Sequence, residues 1–153
     1  ESAQILAWLR EKNLTGRSEL LYRASCDGWG ARDFHARCDN KGATVTVIQS
    51  TSDNVFGGFA DLPWTSHSGC YKASSEAFLF ALRTHSGLGP TKMSVTDPGH
   101  AIIHNQNYGP LFGRGNDIWI MDRANIGSKN RTKIGHSYQC PPGQNGERFL
   151  TGS

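Results

Sequence analysis

Two rhythms of apolar residues run along the chain. Within residues 2–12, Ile5, Leu6, Trp8 and Leu9 repeat at helical spacing and predict a helix that ends near 13–16. Leu20-Leu21-Tyr22-Arg23-Ala24 predicts a strand, Asp27-Gly28 breaks it, and Phe34 and Cys38, four apart on one face, place a second helix over 31–37. From residue 44 the period changes to two. Thr44-Val45-Thr46-Val47-Ile48 alternates as a half-buried strand does, and 55–59 pairs with it as a hairpin across 50–54. Residues 61–74, rich in Ser with Pro63 and Gly69, read as a long surface loop. Ala77-Phe78-Leu79-Phe80-Ala81-Leu82 is apolar at every position, which predicts a central strand buried on both faces. Short strands follow at 92–95 and 100–104, then at 117–121, where Ile118 and Ile120 share one face and Trp119 takes the other. After a polar loop over 123–133, strands at 136–140 and 148–150 complete the set.

Many short strands, two helices and no βαβ rhythm predict a mainly β fold: a two-sheet antiparallel β-sandwich with short flanking helices. Residues 1–17 form a helix and linker packed on a domain that occupies 18–153. A chain of 153 residues with 37% hydrophobic positions is the size of one domain with a real core. Its 18 Gly and 6 Pro suit the many tight turns of such a fold. A net charge of +3, spread along the chain, argues against a nucleic-acid or polybasic membrane surface. The longest apolar run, 77–82, is far short of the ~18–20 residues needed to span a bilayer.

Cysteine usage bears on location. Cys26, Cys38, Cys70 and Cys140 form an even set without a CxxC pair, so they are disulfide candidates rather than a zinc or thioredoxin motif. Asn13-Leu14-Thr15 and Asn130-Arg131-Thr132 are sequons that place glycosylation candidates at Asn13 and Asn130 in an exported protein. The chain begins at Glu1 with no hydrophobic leader, as a processed mature chain or a trimmed fragment does.

Catalytic and cofactor motifs are poorly represented. Ser66-His67-Ser68-Gly69 lacks the GxSxG of a nucleophile elbow, and His100 and His104 have metal-ligand spacing without the Glu of HExxH. Gly113-Arg114-Gly115 lacks the third glycine of a phosphate cradle. Arg123, Lys129, Arg131 and Lys133 gather charge in one loop without interleaved aromatics, the pattern of a solvated loop. No enzyme activity, metal or cofactor is therefore expected. One group is more suggestive: His104, Asn105, Asn107 and Tyr108, with Arg114, Asn116 and Asp117 and the outward Trp119, would offer amides, a carboxylate and aromatic faces on neighbouring loops. Sugars are bound by that mixture, their hydroxyls hydrogen-bonded and their C–H face stacked on a ring.

The order of strings resembles the TLDc domain family. Leu20-Leu21-Tyr22-Arg23-Ala24-Ser25, Asp27-Gly28, Phe34-His35 and Cys38, then Gly42 and Thr44, are similar to its opening. Phe56-Gly57-Gly58-Phe59 with Trp64, the 77–82 run, Tyr108-Gly109-Pro110, Phe112-Gly113, Asp117-Ile118 and Phe149 with Thr151-Gly152 continue the likeness over residues 18–152. The resemblance implies a β-sandwich, no agreed catalytic residues and no cofactor. Intracellular members are associated with protection against oxidative damage and with docking on the vacuolar proton pump. Members also continue beyond the Phe-x-Thr-Gly string into one more strand, so a chain stopping at Ser153 would leave a sheet edge open and favour a homo-oligomer.

Two readings stay open from the sequence. The leading one is a secreted, non-catalytic, lectin-like protein whose partner is a glycan or glycoprotein. The alternative is a cytoplasmic TLDc interaction module of the oxidation-resistance kind, whose partner is a protein such as the proton pump.

Overall fold

The computed structural model describes residues 2–127 and 129–152; Ser153, beyond which the further strand is expected, lies outside the described residues. Its first sheet contains four strands: β1 (Thr44–Gln49), β2 (Val55–Ala60), β4 (Phe78–Arg83) and β5 (Thr91–Ser94), in the order β1-β2-β4-β5. All neighbours are antiparallel, and β1 and β2 pair residue for residue from Thr44↔Ala60 to Gln49↔Val55. Side chains alternate across the sheet, so Phe56, Ala60, Leu79 and Ala81 enter the core between the two sheets. Val55, Phe59, Phe78, Phe80 and Leu82 enter a second cluster on the other face. The helix α1 (Ser2–Glu11) closes that face: Trp8 meets Phe78 edge-on at 6.2 Å and Phe80 at 6.0 Å. Burial on both faces is why β4 reads as one apolar run, and each such ring contributes about 2–3 kcal/mol by leaving water.

Gly57 and Gly58 in β2 are required by packing. A Cβ on Gly58 would stand 2.7 Å from the Phe112 ring of the other sheet, and one on Gly57 would stand 2.8 Å from Phe80 and 1.8 Å from the Thr46 carbonyl oxygen. Only glycine lets the sheets and rings approach this closely.

The second sheet contains β3 (Ser68–Lys72), β6 (Ile102–Asn105), β7 (Leu111–Phe112), β8 (Ile118–Trp119) and β9 (Arg131–Thr132), in chain order and antiparallel. Phe112, Ile118, Tyr138, Phe149 and Leu150 face the shared core. The predicted sandwich is therefore the observed one, with several boundaries moved. Residues 61–74 contain β3. The 136–140 and 148–150 segments are turns, joined to the sheets by the single bridge Val95↔Tyr138. Residues 20–24 form no strand but an extended strap. Tyr22 Oη donates to the Gly28 carbonyl at 2.6 Å, and the Arg23 N–H donates to Asp27 Oδ2, bending the chain into the one-turn helix α2 (Ala24–Asp27).

The helix α3 (Ala31–Cys38) follows. Its first free N–H groups are taken by carboxylates: Gly30 donates to Asp33 Oδ2 at 3.0 Å and Ala31 to Asp122 Oδ1 at 2.7 Å. Phe34 and Cys38 are buried, as their spacing predicts, with Phe34 edge-on to Trp64 at 5.7 Å.

The disulfide expectation is corrected: all four cysteines are free. Cys38 faces the core, where burial, then Asp39 and Asp27, push its thiol up to about 11 and keep it protonated and inert. Cys26 is exposed on α2, Cys70 lies on β3, and Cys140 donates to the Gln144 carbonyl, so each serves its own element.

Candidate functional site

The predicted ligand loops separate into two groups. Gly113 hydrogen-bonds to Ala101 at the start of β6, whereas Tyr108 follows the end of β6 at Asn105, four residue steps or about 13 Å along the strand. Around Tyr108, Asn105, Asn107 and Trp119 come together. The Tyr108 ring meets Trp119 edge-on at 5.3 Å, and the Arg131 guanidinium lies 5.7 Å from the Trp119 ring centre. The indole Nε1 of Trp119 is buried without a partner, so the ring is half inside the fold.

His35, a residue that the sequence reading did not single out, holds this turn. It projects from α3 and is buried. Its Nε2 donates to the carbonyl oxygens of Asn105 at 2.9 Å and Tyr108 at 2.8 Å, while Nδ1 lies 2.7 Å from Asp39 Oδ1. Asp39 is held in turn by Ser66 Oγ at 2.5 Å. The Phe-His pair was legible in the sequence only as a family string.

Asp117 and His104 are removed from the ligand set by burial. Asp117 is fully buried and its carboxylate accepts the backbone N–H groups of Gly135, His136, Ser137 and Tyr138 at 3.1–3.3 Å. Burial pushes its carboxyl up, and the four N–H bonds pull it back. Gly113 exists to admit this carboxylate: its φ is 85°, and a Cβ there would stand 1.9 Å from Asp117 Oδ1. The Gly113-Arg114-Gly115 string is thus a close approach to Asp117 and His136, with Asn116 at φ 63° completing the turn and Arg114 exposed. His104 is buried with Nδ1 on Thr65 Oγ1 at 2.8 Å and Nε2 unpartnered; burial, then Lys72 and His67, hold its pKa below the usual imidazole range. His100 precedes β6 in a 3-10 turn and pairs with Asp97, so the two histidines do not share a strand, and among the described residues no cluster of metal ligands occurs.

The sequon residues differ as well. Asn13 is exposed in a left-handed turn at φ 62°, whereas the Asn130 amide is occupied: its Oδ1 accepts the Met121 N–H and its Nδ2 donates to the Ala124 carbonyl.

A second feature was not anticipated. An open groove of about 2210 Å³ runs between the strap at 14–25 and β1, the edge strand of the first sheet. Leu6, Leu14, Leu20, Trp29 and Val47 line it and are all exposed, Val47 at 55% and Leu20 at 68%. The other large apolar side chains exposed among the described residues, Tyr71, Leu88 and Ile126, lie elsewhere. Alternation within 44–48 marks a half-buried strand, but nothing local in the strand shows that its outer side stays open.

None of the curated proteins matches the chain. The model of the TLDc domain matches residues 1–151, nearly the whole length, and agrees with the two antiparallel sheets and the glycine-dependent contacts described above. The chain belongs to the TLDc domain family.

Proposed function

We propose that this TLDc domain is a non-catalytic protein-interaction module that acts in a reducing compartment and takes its partner in the groove beside β1. The observation that carries this reading is the gathering of exposed apolar side chains in one concavity, a surface that soluble proteins otherwise keep small. Four unpaired thiols support the compartment. The test is a photo-crosslinking residue at Val47, with a control at Leu88 in the β4–β5 turn. The expected result is one partner protein trapped in cells from Val47 and absent from Leu88. Equal labelling from both positions would overturn the reading.

A carbohydrate-binding role in an exported protein is the second reading, favoured by the meeting of Tyr108 and Trp119 beside the exposed Asn107. Saturable binding to a defined sugar on a glycan array, lost in Trp119→Ala with stability kept, would establish it in place of the first.

A further inference from the structure

Four strands stand at the edges of the two sheets, and they are not equally protected. The outer side of β5 is occupied by the 137–139 segment, with the Gln139 N–H donating to the Ser94 carbonyl and the Thr96 N–H to the Ser137 carbonyl. At the edges of the second sheet, β3 carries Lys72 and a register shift between Ser68 and Cys70, and β9 is two residues long and carries Arg131. Bulges, charge and short length are the ordinary defences of a sheet edge. The strand β1 has none of them. Its six residues, Thr-Val-Thr-Val-Ile-Gln, are uncharged and free of Pro and Gly, and pair fully with β2 on one side. Among the described residues, no hydrogen bond joins a β1 backbone group to anything outside that ladder.

The charge around the groove selects among occupants. Arg17, Arg23, Lys41, Arg131, Lys133 and Arg148 line it, against the carboxylates Glu19 and Glu147, of which Glu147 is paired with Lys133 at 3.1 Å. A second copy joined edge to edge through β1 would bring two basic rims together, which opposes the homo-oligomer that an open edge otherwise favours. An acidic occupant meets opposite charge. The exposed Val47 and Leu20 ask the same occupant for apolar side chains at alternate positions.

We infer that β1 is an acceptor for strand addition, and that its partner is an extended protein segment alternating acidic and apolar residues, paired to the free side of β1 with its carboxylates on the basic rim. This rests on the protein-interaction reading and specifies its chemistry. Main-chain hydrogen bonds would supply the affinity, and the alternate side chains the selectivity.

The probe is a blocked peptide of about nine residues alternating Val and Glu, long enough to span β1. Titration by calorimetry is expected to give a saturable Kd on the order of 10 µM, weakened about tenfold or more when Lys replaces Glu, and weakened similarly by Val47→Asp, an exposed change that leaves the fold intact. N-methylation of alternate peptide residues is expected to abolish binding in one phase and spare it in the other, because only one set of N–H groups faces β1. Equal loss in both phases, equal affinity of the Lys peptide, or no saturation at millimolar peptide would each overturn strand addition. The same holds for a dimer in light scattering that the peptide fails to dissociate. These outcomes are distinguishable from failure of the interaction reading, which is read by crosslinking at Val47 without any peptide.

Discussion

The two sheets of this domain are held by different means. In the first, β2 and β4 are six residues long, their side chains fill apolar clusters on both faces, and the ladder continues across the sheet. In the second, β7, β8 and β9 have two residues each, too few for cross-strand pairs alone to hold them. Buried polar groups do it instead. Asp117 gathers four N–H groups of the 135–138 turn, Tyr138 Oη donates to the Ala101 carbonyl at 2.7 Å, and His35 clamps the carbonyls that end β6. Hydrophobic burial is non-directional and tolerates small shifts, whereas a polar clamp fails as a unit when its centre is lost.

The sharpest way to break that contrast is Asp117→Ala. It would strand four buried donors at once, and the expected loss is about 4 kcal/mol in denaturant unfolding. Hydrogen exchange would show the 135–138 turn opening before β4 does. Next comes Leu79→Ala, which removes a fully buried side chain from the centre of the first sheet, with an expected cost of about 3 kcal/mol from lost burial and the cavity left behind. That loss is expected as one cooperative transition without a local phase. His35→Gln is smaller, about 1–2 kcal/mol, because Gln can satisfy only part of the clamp. Its signature is faster amide exchange at Gly109 and Tyr108 with β2 unaffected.

The smallest effect is a dependence on pH. Burial holds the folded His104 below its ordinary value of about 6.5, so the unfolded chain takes up this proton first as pH falls. Its contribution is present in full above that value and is lost as pH falls below it, with a slope of at most about 1.4 kcal/mol per pH unit. Comparing stability at pH 7.5 and 5.5 with that of His104→Gln isolates the term: the variant is expected to lose less on acidification, and an equal loss would assign the slope to other groups.

The same contrast explains what could be read from the chain before its structure. The elements α1, α3, β1, β2, β4 and β5 announce themselves because each buries a whole face or stripe, and a buried face leaves a period in the sequence. The second sheet leaves little period. Its two-residue strands are shorter than any periodic window, β3 hides in a Ser-rich stretch, and the 136–140 and 148–150 segments bury Tyr138, Phe149 and Leu150 from turns rather than strands. The ligand loops failed for a related reason. Asp117 has the composition of a binding residue, and only its neighbours in space reveal four backbone donors around it. Asn105, Asn107, Tyr108 and Trp119 do meet, because β6 and the β7–β8 hairpin bring 108 and 119 to one end of the sheet.

By itself, then, the sequence determined the family, the sandwich class, the apolar first sheet and the glycines on which its close packing depends, because these rest on local period and residue size. Tertiary structure alone decided that the cysteines stay unpaired, that Asp117 turns inward, that His35 holds the 105–108 turn and that β1 keeps an open edge beside a basic groove. Each of these depends on which distant segments share a place in space, and residues 14–25 and 44–49, separated along the chain, form the groove only after the sheets have packed.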